Sequence, residues 1–166
     1  MAQQSTTAHP MLYGPDIAIR GVSGDLIAFV EVKNPRPMSR GLALSLYRDA
    51  VDHGVTTYAP YFLLVSQRLG FLWKPEEARN EAMAPLVEFP MAGVVARYLP
   101  ELAEDDRLRG RELDLIVSQW LFSLAIGSQS FSEEPEKSLA TSGFLAAIDG
   151  ALVTIEAANN LRAGVF

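Results

Sequence analysis

Two acids and a lysine stand where one short hairpin would bring them together. Pro15-Asp16 opens an apolar run (Ile17, Ala18, Ile19) that breaks at Gly21-Val22-Ser23-Gly24-Asp25. A second run, Leu26 to Val32, carries Glu31 near its end, and Lys33 follows it. If the runs pair about Ser23-Gly24, Asp16 falls opposite Glu31, with Cβ atoms roughly 4.5–5.5 Å apart. Strand alternation puts Lys33 on the face of Glu31. Two carboxylates held that close repel unless a positive charge intervenes. The trio therefore has the chemistry of a cation site beside a lysine that can offset developing negative charge. A surface cross-strand charge cluster is the plain alternative, but the flanking residues Phe29, Val30 and Val32 are apolar.

The elements that must position this trio are legible around it. The hairpin has Ile17, Ile19, Ala28, Val30 and Val32 on one face, and Ala18, Ile27 and Phe29 with the charged residues on the other. Both faces are largely apolar, which predicts a sheet covered on both sides. Asn34-Pro35-Arg36-Pro37 stops the second strand, because proline cannot donate to a ladder. Ser39 is a candidate N-cap for a helix reaching His53, closed by Gly54. Tyr61 to Val65 predicts a strand. A turn at Ser66-Gln67-Arg68-Leu69-Gly70 leads to a short strand at Phe71-Leu72-Trp73, and Pro75 ends it.

Beyond residue 75 the chain reads as mainly helical. Glu76 to Met83 predicts a short helix, Pro85 and Pro90 predict loop, and Val94 to Leu99 predicts one or two helical turns. Residues 111–126 predict a helix apolar on most of its circumference, and Lys137 to Asn160 a last helix with a bend near Gly143 or Gly150. A helix that is apolar nearly all round is either deeply buried or shared with a partner. Homodimerisation through residues 111–127 is accordingly expected. Trp73 and Trp120 are expected in the core. Glu133, Glu134 and Glu136 read as helix-start acids that suit the dipole, and His53 suits a helix C-terminus.

The order strand, turn, strand with Glu-x-Lys, helix, strand resembles the core of the PD-(D/E)XK nuclease superfamily. Pro15-Asp16 corresponds to its first motif and Glu31-Val32-Lys33 to its second. The stretch from Ser39 to Trp73 is similar to the nuclease-like N-terminal regions of type I restriction subunits. The resemblance covers about residues 15–74. It implies an α/β fold: a restriction-endonuclease-like mixed β-sheet (hairpin, helix, strand, short strand) with an added C-terminal helical region. It also implies Mg²⁺, replaceable by Mn²⁺, held by Asp16, Glu31 and the main-chain carbonyl of Val32, with Lys33 as catalytic lysine. The implied activity is phosphodiester hydrolysis, with DNA the expected substrate. Two family features are missing. No Asp or Glu occurs among the 14 residues before Pro15, where many members have an acid-bearing helix, and no Gln occurs in residues 38–54. The helical tail is expected to cover the sheet face which that helix would occupy. The missing acid keeps a second reading open: a non-catalytic nuclease-fold subunit that assembles a larger nucleic-acid-processing or defence complex.

Composition bounds these readings. At 166 residues and 49% hydrophobic, the chain can bury a core as one domain. Residues 1–14 are expected as a flexible arm, 15–75 as the nuclease-like core, and 76–166 as an extension packed on it. Without cysteine there are no disulfides or thiolate zinc sites, and a reducing cytoplasm fits. No secretory signal is evident at the N-terminus. The tract from Leu113 to Gly127 is interrupted by Asp114, Ser118, Gln119 and Ser123. It falls short of the roughly 20 residues a membrane span needs. The net charge of −6 argues against a general nucleic-acid binder, yet it is unevenly spread. Residues 15–75 hold seven basic and five acidic residues, whereas 76–166 hold seven and fifteen. Arg36, Arg40 and Arg48, in the basic half, are candidate phosphate contacts beside the trio.

Overall fold

The computed structural model describes residues 14–34, 37–76, 83–127 and 131–156. Its centre is a six-stranded mixed sheet with helices on both faces. β1 (Ile17–Arg20) and β2 (Leu26–Val32) form the hairpin, paired Ile17 to Val30, Ala18 to Phe29 and Ile19 to Ala28. The register slips by one at Arg20, opposite Leu26. Gly24, with φ of +88°, takes the left-handed turn position that a Cβ would strain.

From β2 the chain crosses through α1 (Arg40–Asp52) to β3 (Tyr61–Val65), which runs parallel to β2. The Ser39 side chain accepts from the Leu42 N–H, and Gly54 at φ +74° ends the helix. β4 (Leu69–Trp73) returns antiparallel to β3. The expected order of elements through Trp73 thus holds.

The tail departs from expectation. Val87–Pro90 is an edge strand, β5, antiparallel to β4. Pro90 is tolerated there because it closes an edge strand, where a missing N–H costs no ladder bond. α2 (Ala92–Tyr98) and α3 (Gly110–Ala125) follow. The single helix expected from Lys137 onward is instead α4 (Glu136–Thr141), α5 (Phe144–Ile148) and a strand, β6 (Leu152–Ile155). Gly143 and Gly150, at φ +88° and +72°, interrupt it. The alanine-rich sequence suits helix, but the open edge of β1 offers residues 152–155 a ladder, and they pair with it antiparallel. Strand order is β5-β4-β3-β2-β1-β6. The short helix at Glu76 to Met83 and the arm at residues 1–14 fall, apart from their ends, outside the described residues.

Two apolar layers follow from strand alternation. Ile17, Ile19, Ala28, Val30, Leu63, Val65 and Leu72 face α2 to α5. Phe29, Phe62, Leu64, Phe71 and Trp73 face α1, where Tyr47 stacks on Trp73 at 4.4 Å between ring centres. Trp73 and Trp120 are fully buried. α3 therefore covers the sheet face opposite α1.

Candidate active site

Asp16 and Lys33 lie just beyond the last ladder residues of β1 and β2, so both reach the rim where the two layers meet. The Asp16 N–H donates to the Val30 carbonyl at 3.0 Å, and its Oδ2 accepts from the Val32 N–H at 2.8 Å. These bonds bracket Glu31 and hold the Asp16 side chain along β2. The far edge contributes too, because the Glu156 N–H after β6 donates to the Asp16 carbonyl at 2.8 Å. On the other side, the Lys33 N–H donates to the Val65 carbonyl at 2.9 Å. The trio is thus fixed by backbone bonds from three neighbouring strands.

Glu31 is 4% exposed, and among the described residues no donor is found for its carboxylate. No side-chain oxygen or nitrogen among those residues is both sealed from solvent and unpartnered, so the carboxylate opens to water. Burial pushes its carboxyl up to about 7; Lys33 opposes the shift, while Asp16 and Asp49 of α1 add to it. Asp16 is also raised by burial, against the Val32 hydrogen bond and Lys33.

A further acid acts on this site: Asp114, in the second turn of α3. Burial, then the Asp16 charge, raises it to about 6, with Lys33 and Arg111 opposing. In the sequence Asp114 only interrupts an apolar tract. Its signal was positional: Val117 and Leu121, three and seven residues on, are buried, so Asp114 borders the inward stripe. The distant element that brings it to the trio could not be inferred from local pattern.

The residues present fit a hard divalent cation that keeps much of its water: two carboxylates, one nearly buried and unpaired, beside the Val32 carbonyl. Among the described residues no three carboxylate or imidazole groups converge to hold a metal ion by themselves. Two carboxylates, one carbonyl and water would have to suffice.

The candidate arginines are less concentrated. Arg40 and Arg48 are exposed on α1, and Arg36 lies outside the described residues. Gln67 and Arg68 lie in the expected turn between β3 and β4, closed by the Ser66 N–H to the Leu69 carbonyl at 2.8 Å, and Gln67 bonds in addition to Asn34, Asp106 and Leu108. Glu136, expected as a helix-start acid, lies in the first turn of α4 and is 3% exposed. It pairs with both guanidinium nitrogens of Arg97 and accepts from Trp120 Nε1 at 3.2 Å. The His53 Nδ1 lies 2.7 Å from the Asp49 carbonyl in the last turn of α1.

Comparison with protein-family models, curated proteins and solved structures found no match.

Proposed function

We propose that this protein is a Mg²⁺-dependent nuclease of restriction-endonuclease-like architecture, hydrolysing phosphodiesters, with DNA the expected substrate and Mn²⁺ able to replace Mg²⁺. The observation that carries this reading is Glu31, a nearly buried and unpaired carboxylate open to water between Asp16 and Lys33. Support also comes from the order of hairpin, helix, parallel strand and antiparallel strand around it, and from Asp114, an acid delivered by an element other than the expected upstream helix.

Asp16, Glu31 and the Val32 carbonyl would hold the cation. When bound, it would lower the charge on the phosphate and the pKa of its water. The Lys33 ammonium offsets negative charge growing on the phosphate oxygens. Asp114, whose carboxyl burial raises to about 6, would take up a proton close to neutrality. Arg40 and Arg48, exposed on α1, would serve as contacts for flanking phosphates.

The test is cleavage of single-stranded, duplex and branched DNA and RNA with Mg²⁺ or Mn²⁺. Lys33→Ala and Asp16→Ala should each lower the rate at least about 100-fold, the scale of losing a charged transition-state partner. Cleavage that survives both changes would belong to a contaminant.

A second reading, an assembly subunit without turnover, is favoured by the apolar stripe of Leu115 and Phe122 on α3 and Ile126 at its C-cap, each more than half exposed. Calorimetry distinguishes the two. Absence of Mg²⁺ or Mn²⁺ binding favours assembly, and metal binding with cleavage removes that reading.

A further inference from the structure

The carboxyl ends of the parallel strands β2 and β3 open into a cleft of about 660 Å³. It lies between the segment before α1, the Ser66-to-Leu69 turn and the segment before α3. Asn34, on its wall, directly follows Lys33. On the neighbouring strand, Ser66 of the wall directly follows Val65, whose carbonyl accepts from the Lys33 N–H at 2.9 Å. A site outside the carboxyl ends of parallel strands is a common ligand position in α/β folds.

The walls are tied together. Gln67 Oε1 accepts from Asn34 Nδ2 at 3.1 Å and from the Leu108 N–H at 2.9 Å, while Gln67 Nε2 donates to the Asp106 carbonyl at 2.7 Å. Asn34 Nδ2 also donates to the Leu108 carbonyl at 3.1 Å, and the Arg107 guanidinium donates to the Asn34 carbonyl. A cleft built this way is ordered before any ligand arrives, which lowers the cost of binding.

Its lining decides the ligand. Among the described lining residues Arg68 and Arg107 are matched by Asp105 and Asp106, a balance that gives a bare phosphate little gain. Pro37, Met38 and Leu69 add apolar surface. Apolar surface with both donors and acceptors at its margin matches a flat heterocycle with a polar edge.

We propose that this cleft takes an unpaired nucleobase of the strand whose phosphate lies at Asp16, Glu31 and Lys33, making the substrate single-stranded or frayed nucleic acid. The inference rests on the nuclease reading for its neighbouring phosphate. A base inside a duplex could enter only by leaving its stack.

NMR of the unmodified chain tests it, with the side-chain amide signals of Asn34 and Gln67 as reporters. The four deoxynucleoside 5′-monophosphates should shift them, and 2-deoxyribose 5-phosphate or inorganic phosphate should not. No shift, or equal shifts with the base-free probes, overturns the proposal. Fluorescence anisotropy gives a second readout: a labelled single-stranded 12-mer should bind at least tenfold tighter than its duplex, and Asp105→Lys should change that preference. Equal affinity for the two overturns it. Base-dependent shifts without cleavage under any metal would uphold the cleft and sink the nuclease reading; cleavage without shifts would do the reverse.

Discussion

At Glu31 the cost of a candidate site can be weighed directly. Burial raises its pKa from the ordinary 4.5 to about 7, so the folded chain holds this proton more tightly than the unfolded chain. Stability from this group is complete below about pH 4.5 and is lost as pH rises through 7. At about 1.4 kcal/mol per pKa unit, the loss is on the order of 3 kcal/mol at pH 8. Glu31→Gln should therefore stabilise the fold by about 2–3 kcal/mol at pH 8, with little effect at pH 5, in urea unfolding. A destabilised glutamine variant at pH 8 would refute the burden assigned to this charge. Asp16 and Asp114, also raised, act in the same sense. Residues that the fold would shed on stability grounds alone are those expected where function is stored.

Two elements of the tail are fixed by single contacts. Glu136 joins Arg97 of α2 and Trp120 of α3 to α4, and its pKa is lowered: burial acts against ionisation, but Arg97, its own backbone N–H and Trp120 outweigh it. That stabilisation is present above the unfolded carboxylate range and is lost as pH falls through the lowered value. Glu136→Ala strands Arg97 and the indole N–H. It should cost about 2–3 kcal/mol, less than a fully buried broken pair because Arg97 is part exposed, and it should shift Trp120 fluorescence on thermal melting. At Gly70, the reason is space. A Cβ there would meet the buried Phe89 ring at 2.1 Å. Gly70→Ala should destabilise by about 1–3 kcal/mol as β5 is pushed from β4, and faster amide exchange in β5 would register it. Unchanged stability would mean that the ring moves freely.

Over the whole molecule, an acidic tail wraps a basic-biased core, and no helix among the described residues is long and apolar enough to cross a membrane. α3 buries Leu113, Val117, Trp120, Leu121 and Leu124 against the sheet while exposing Leu115, Phe122 and, at its C-cap, Ile126. If the homodimer expected from the sequence uses this face, wild type should sediment as a concentration-dependent dimer and Phe122→Lys as a monomer of unchanged melting temperature. Monomer alone at high concentration removes that interface.

What was legible in the sequence is what local physics dictates. Period-two alternation, the Ser23-Gly24 turn, the Ser39 cap and the Gly54 stop specify β1, β2 and α1 with the register that sets Asp16 beside Glu31, because each depends on neighbours a few residues away. The alternation of β1 and β2 also foretold a sheet covered on both faces. Only the tertiary structure decided that Leu152 to Ile155 is a strand, since its pairing partner lies more than 130 residues earlier. Only it made Asp114 part of the site and joined Gln67 to Asn34 and Leu108, because those neighbours come from separate elements. Such contacts depend on how α3 packs across the sheet, and no local period carries that information.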